Sequence, residues 1–162
     1  MTKILIVSDN HGLVKELENI YFRHKVDTEY FIHCGDSELT VNHPILEPYE
    51  CVKGNCDFHQ FPKEYFFQVE GKNILVLHGH YHNIKYGYDM LYHYALERNC
   101  DFVFYGHTHF PSVNQYHEIV FINPGSILAN RGIRGRSYAL LELNGDSFKV
   151  KFYDVVTGLA LK

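Results

Sequence analysis

The sequence contains no tryptophan and only two methionines among 162 residues. No uninterrupted apolar run approaches the roughly 20 residues that a membrane-spanning helix needs, so a membrane partner is not expected. The four cysteines, Cys34, Cys51, Cys56 and Cys100, form no Cys-x-x-Cys pair. Their scatter argues against a closed, Cys-rich structural zinc site and predicts reduced thiols. A basic excess is also missing, because 15 Lys and Arg stand against 19 Asp and Glu, a net charge of −4. A general nucleic-acid binder usually carries a basic face, so nucleic acid is not the expected partner either. No charged-then-apolar leader with a small-residue cleavage site precedes Ile4-Leu5-Ile6-Val7, and a cytoplasmic location is the expectation.

What the chain has in quantity is histidine, with twelve residues. Hydrophobic content of 46% and charged content of 21% are ordinary for a globular protein. The length fits one domain over residues 1–162, with no repeat, low-complexity stretch or linker to divide it.

Apolar periodicity predicts strands at Lys3–Ser8, Tyr30–Cys34, Asp101–Tyr105, Val113–Gln115, Ile119–Ile122, Tyr138–Leu143 and Ser147–Tyr153. Tyr65–Val69 and Ile74–Leu77 flank Glu70-Gly71-Lys72-Asn73 and read as a hairpin. Asn144-Gly145-Asp146 reads as a turn. Helices are expected at Leu13–Lys25, with Leu13, Leu17, Ile20 and Tyr21 near one face, and around Tyr88–Arg98. Strand–helix units come first and hairpins later, which predicts an α/β domain with mixed sheets packed face to face under outer helices. Ligands in such folds collect at the carboxyl ends of strands.

Those ends carry the polar motifs. Ile4–Val7 runs into Ser8-Asp9-Asn10-His11-Gly12, and Phe31–His33 into Cys34-Gly35-Asp36. The segment ending at Val52 leads to Lys53-Gly54-Asn55-Cys56-Asp57. Ile74–Leu77 ends in His78-Gly79-His80, and Phe102–Tyr105 in Gly106-His107-Thr108-His109. Carboxylate oxygen and imidazole nitrogen together suit divalent manganese, iron, cobalt, nickel or zinc. Asp9, His11, Asp36, Asn55, His78, His107 and His109 make seven candidate ligands, too many for one tetrahedral zinc. Two ions sharing one carboxylate accommodate them. No serine or cysteine nucleophile motif is present.

The order Asp9-x-His11, Gly35-Asp36, Gly54-Asn55, His78-Gly79 and Gly106-His107-Thr108-His109 resembles the calcineurin-like metallophosphoesterase superfamily. The whole chain is similar to its small bacterial and archaeal phosphodiesterase branch, the YfcE type, which Asn123-Pro124-Gly125-Ser126 also matches. The resemblance implies a four-layer α-β-β-α sandwich, two mixed sheets flanked by helices. It implies that Asp9, His11 and His109 hold one ion, that Asn55, His78 and His107 hold the other, and that Asp36 bridges them. Asp36, Asn55, Cys56 and His78 are the catalytic residues expected. The cofactor expected is a pair of divalent ions, manganese first, with nickel, iron, cobalt or zinc as alternatives. A hydroxide between the ions would hydrolyse a small phosphodiester.

Cys56 stands where much of the wider superfamily has a histidine, although Gly-Asn-Cys-Asp is common in the small branch. The proton donor to the leaving group is therefore open. A phosphomonoesterase or nucleotide pyrophosphatase is an alternative activity on the same fold. A non-catalytic protein-binding scaffold, resembling the retromer subunit, is the alternative outside enzymes. In that scaffold some ligand positions are replaced, whereas every motif position here holds a competent ligand.

Other residues have plainer expectations. Arg131, Arg134 and Arg136 lie in a locally basic run and are read as a solvated loop, with a phosphate contact as the alternative. His33 reads as a core residue or one supporting the ligands, and Asp57 as a turn cap or an orienter of Asn55. His80 reads equally as pocket lining or solvated loop. Cys34 and Cys51 read as small core residues. His24, His43, His59, His82, His93 and His117 are expected on the surface. Tyrosines cluster in Tyr81–Tyr94, either as a pocket wall or as the interface of a dimer or larger homo-oligomer.

Overall fold

A computed structural model describes residues 1–162. Ten strands and two α-helices build two five-stranded mixed sheets. The strands are β1 (Thr2–Val7), β2 (Tyr30–His33), β3 (Glu50–Cys51), β4 (Glu64–Val69), β5 (Lys72–Leu77), β6 (Phe102–Phe104), β7 (Ser112–Tyr116), β8 (Ile119–Asn123), β9 (Ser137–Asn144) and β10 (Ser147–Asp154). One sheet has the order β10-β9-β1-β2-β3, the other β4-β5-β6-β8-β7. Strands β1, β2 and β3 are parallel, as are β5, β6 and β8. β10, β4 and β7 close antiparallel hairpins with β9, β5 and β8, while the fourth edge strand, β3, is parallel to its neighbour.

The apolar runs of the central strands follow from layering. Ile4 and Ile6 of β1 point into a 16-residue cluster between the sheets, while Leu5 and Val7 point the other way. The outer face of that sheet carries helix α1 (Lys15–His24), which buries Leu17 and Ile20. The second sheet repeats the scheme. Ile74 and Val76 of β5 face inward, and Leu75 and Leu77 meet Leu91 and Ala95 of helix α2 (Asp89–Glu97). Three apolar clusters thus separate four layers, as expected. A strand covered on both faces must be apolar at every position. Edge strands have only one covered face and alternate accordingly: β4 buries Phe67 and Val69 and exposes Glu64, Phe66 and Gln68.

Some boundaries differ from expectation. Helix α1 starts at Lys15, not Leu13, because the Leu13 amide donates to the Asn10 carbonyl and Asn10 Nδ2 donates to the Leu13 carbonyl, closing a turn. The two-residue strand β3 was not anticipated. The first hairpin turns on Glu70-Gly71 alone, both at positive φ (50° and 77°), with Val69 paired to Lys72. Asn144 is likewise the last residue of its strand, paired with Ser147 around Gly145-Asp146. Tyr88, Tyr92 and Tyr94 pack against the outer cluster of the second sheet, whereas Tyr81 and Tyr86 are exposed. All four cysteines are free thiols, and Cys34 and Cys51 are core contributors as read. No helix is long and apolar enough to cross a membrane.

Candidate metal centre

The carboxyl ends of β1, β2, β3, β5 and β6 meet at one rim of the sandwich, and each delivers part of the predicted set. The approach is close enough to exclude side chains at two glycines. A Cβ on Gly54 would lie 2.0 Å from Asp36 Oδ1, and one on Gly106 would lie 2.1 Å from Ser8 Oγ. Glycine beside these ligands is therefore a packing requirement.

The backbone at the site is also unusual. Asp9, His11, Asp36, His107 and His109 have φ of 56°, 44°, 57°, 68° and 58°. A non-glycine residue in the left-handed region costs on the order of 1 kcal/mol or more, and such residues concentrate at functional sites. The loops after β1, β2 and β6 use this backbone to turn their side chains into the shared rim.

Asp9 is fully buried. Its Oδ2 accepts from Ser8 Oγ (2.6 Å) and from the His107 amide (3.1 Å). Oδ1 is left to face His109 Nε2 at 3.1 Å, His11 Nε2 at 3.6 Å and His78 Nε2 at 3.9 Å. His11 Nε2 and His109 Nε2 are 3.3 Å apart. Asp36 Oδ1 accepts from the Cys56 amide (2.8 Å), and Oδ2 faces His78 Nε2 at 3.1 Å. Asn55 Oδ1 lies 3.0 Å from the same nitrogen. Asp36 shares one group of converging donor atoms with Asp9 and His78, and a second with His11 and Cys56, all within 4.8 Å. His107 stands further off: its ring centroid is 5.0 Å from that of His78.

The protons test whether this donor set fits a cation. His78 Nδ1 donates to the Cys34 carbonyl at 2.8 Å, since a carbonyl oxygen only accepts. Neutral His78 then presents a lone pair at Nε2 to Asp36 Oδ2 and Asn55 Oδ1, which also offer only lone pairs. Acceptors converging in this way repel unless a proton or a cation lies among them. Protons fill the gap in the ion-free chain. Burial opposes charging His78, yet the hydrogen bond to Asp36 and the charge of Asp9 raise its pKa. The hydrogen bond to Asp9, helped by Glu38, pushes His11 up to about 9. Burial likewise opposes ionising Asp9, but hydrogen bonds from His109 and His11 hold it far below the ordinary carboxylate range. Anionic oxygen and imidazole nitrogen around one gap are a fit for divalent transition ions.

Several supporting residues sit behind the ligands. Asp57 Oδ2 accepts from the amides of Asp36 (2.9 Å) and Gly54 (2.7 Å), and Oδ1 from that of Glu38 (2.9 Å). It ties two ligand loops together. His33 is fully buried, accepts from the Gly35 amide through Nδ1 (3.0 Å) and donates from Nε2 to Asn10 Oδ1 (2.7 Å). Burial pushes its pKa down to about 4. Asn123 Nδ2 donates to Thr108 Oγ1 (2.9 Å) and the Gly106 carbonyl (3.1 Å), and Ser126 Oγ to the Asp9 carbonyl (3.0 Å). The Asn-Pro-Gly-Ser loop therefore braces two of the ligand loops.

Cys56 is half-buried, and burial, with the charge of Asp36, pushes its thiol up to about 11. His80 stacks on Tyr81 at 4.0 Å, with its ring 6.0 Å from that of His107. Arg131 and Arg134 are exposed and make no ion pair, and only the Arg131 amide touches the site, donating to the His109 carbonyl at 2.7 Å. Arg136 lies near Asp154. Contrary to expectation, His24 and His82 are half-buried, the first bonded to Tyr138 Oη and the second packed on Tyr94. His43 is also half-buried, because its Nδ1 accepts from the Ile45 amide at the start of a 3₁₀ turn.

Residues 2–146 match the family model described as the calcineurin-like phosphoesterase superfamily domain. The chain is 45% identical over 152 residues to the probable metallophosphoesterase YsnB of Bacillus subtilis, covering 93% of this chain and 90% of that one. It is 35% identical to the phosphodiesterase YfcE of Escherichia coli K12, over 88% of each. The crystal structure of a conserved predicted phosphoesterase from Streptococcus pneumoniae TIGR4 superposes with a TM-score of 0.91 at 34% identity, covering 99% of this chain and 95% of that one.

Proposed function

The chain belongs to the calcineurin-like phosphoesterase superfamily, a family of metal-dependent phosphoesterases, and from that premise we propose that it hydrolyses small phosphodiesters at a dinuclear centre. The observation that carries the dinuclear reading is the meeting of His78 Nε2, Asp36 Oδ2 and Asn55 Oδ1 beside an adjoining cluster of Asp9, His11 and His109. Asn55, His78 and His107 would hold one divalent ion, Asp9, His11 and His109 the other, with Asp36 available to both. When bound there, two such ions would supply an activated water, its pKa lowered from about 15.7 to about 7, and neutralising charge for the phosphoryl oxygens.

The protein's own groups orient that chemistry. Ser8 and the His107 amide fix the Asp9 carboxylate, and the Cys34 carbonyl fixes the His78 tautomer. Asn55 Nδ2 donates to Cys56 Sγ at 3.5 Å, which turns Oδ1 toward His78. With a pKa near 11, the Cys56 thiol stays neutral at pH 7 and is a weak acid toward an alkoxide. Diesters with good leaving groups, such as aryl esters, are the preferred substrates, and rates that ignore leaving-group pKa would count against this role.

The test is an assay of metal-stripped protein on bis-p-nitrophenyl phosphate and p-nitrophenyl phosphate, with manganese, nickel, zinc or magnesium restored in turn. Diester turnover well above monoester turnover supports the proposal. Monoester preference replaces it with a phosphomonoesterase. No metal-dependent turnover of either leaves a binding scaffold.

A further inference from the structure

We propose that Glu38 is a positioning residue for the ion held by Asp9, His11 and His109, acting through His11. The inference rests on the dinuclear reading above. Glu38 Oε1 lies 2.6 Å from His11 Nδ1. A carboxylate only accepts, so the proton of this bond is on Nδ1. A neutral His11 is thereby obliged to present a bare Nε2, and Nε2 is the atom that faces Asp9 Oδ1 and His109 Nε2. The carboxylate fixes the ring's orientation, selects the metal-binding tautomer and makes Nε2 a stronger donor.

The position of Glu38 is built by the backbone, not by the ion pair itself. Its amide donates to Asp57 Oδ1, and Asp57 Oδ2 holds the Asp36 amide. The His11 amide donates to the Asp36 carbonyl (3.1 Å) and the Gly12 amide to the Ser37 carbonyl (2.8 Å), which zips the His11 and Glu38 loops together. Glu38 itself has a φ of 53°. Glutamate is poorly suited to that region, where glycine or asparagine is cheaper. Side-chain chemistry, not backbone preference, accounts for glutamate here.

The contrast with the other ligands is informative. His78 is oriented by a neutral carbonyl, and neither His107 nor His109 has a hydrogen-bond partner on Nδ1. Among the candidate ligand imidazoles, His11 alone has an anionic orienter. The effect of removing it should fall on one ion.

The experiment compares wild type with Glu38→Ala and Glu38→Gln, each stripped and titrated calorimetrically with zinc. Long-range ¹H–¹⁵N spectra of the ion-free proteins at alkaline pH, where the His11 ring is neutral, read the tautomer of His11. Glu38→Ala should weaken one of the two binding steps about 10- to 100-fold. The other step should change less than about twofold, and His11 should lose its single Nδ1–H tautomer. Glu38→Gln keeps an acceptor without the charge and should fall between, with the tautomer retained. Equal weakening of both steps in the two variants would make Glu38 a loop-folding residue and overturn the inference. Unchanged affinities and an unchanged tautomer would overturn it as well. Should Glu38→Ala fold poorly, Glu38→Gln decides alone by the same split. A wild type that binds no zinc refutes the metal centre itself. A wild type that binds two ions, alongside variants that bind them equally well, refutes only the role of Glu38.

Discussion

The two halves of the rim are built from different materials. Around Asp9, two imidazole nitrogens, from His109 and His11, stand 3.1 and 3.6 Å from one carboxylate oxygen, and Glu38 adds a second anion behind His11. Around His78, the partners are Asp36 and the neutral amide of Asn55, the orienting group is a carbonyl, and His107 is still at ring-stacking distance. The first half is anionic and already converged. The second has Asp36 as its one anion and is incomplete. Charge and convergence both favour cation binding, so the Asp9 half should fill first and the His78 half should set the metal concentration needed for turnover.

Asp36 is the residue the halves share, and its loss has the largest expected effect. Asp36→Ala should reduce metal-dependent diester hydrolysis to background and weaken both binding steps in calorimetry. A variant that loses only one step would show that Asp36 serves one half alone. Asp57 comes next because it braces the loops of both halves. Asp57→Ala leaves three buried or half-buried amides without an acceptor. At about 1 kcal/mol or more for each, a loss on the order of 3 kcal/mol is expected in denaturant unfolding.

A smaller effect separates the brace from the ligands. His33 titrates near 4 in the folded chain against 6.5 in the unfolded chain. Its folded pKa is depressed, so its contribution to stability is complete above pH 6.5. That contribution is lost as pH falls from 6.5 toward 4, because only the unfolded chain takes up the proton in that window. The stability advantage of wild type over His33→Gln in the ion-free protein should therefore shrink across this range and level off below it. The smallest effect belongs to Arg134, which is exposed and unpaired. Arg134→Ala should change KM by less than about twofold, whereas a larger rise would place a substrate anion on that loop.

The candidate ligands stand out in the sequence because their motifs follow apolar runs and each motif holds a glycine. Covered sheets force such runs, and close loop approach at Gly54 and Gly106 forces such glycines. The layering was legible for the same reason, in the unbroken apolar run of Ile4–Val7. What stayed hidden depends on contacts between distant segments. Glu38 looks like any surface acid until the loop turn brings it to His11, 27 residues away. Asp57 and His33 were singled out, but their partners come from other strands. The left-handed backbone at five of the ligands leaves no trace in residue type, since aspartate and histidine tolerate many conformations. The short strand β3 is two residues long and has no period to detect.

The most direct test of the two-ion account is a crystal of the protein soaked in manganese, with anomalous scattering to locate the ions. The account predicts two peaks per chain roughly 3.5–4 Å apart. One should contact Asp9, His11 and His109, the other Asn55, His78 and His107, with Asp36 touching both. A single peak, or two peaks of which Asp36 touches only one, would contradict it.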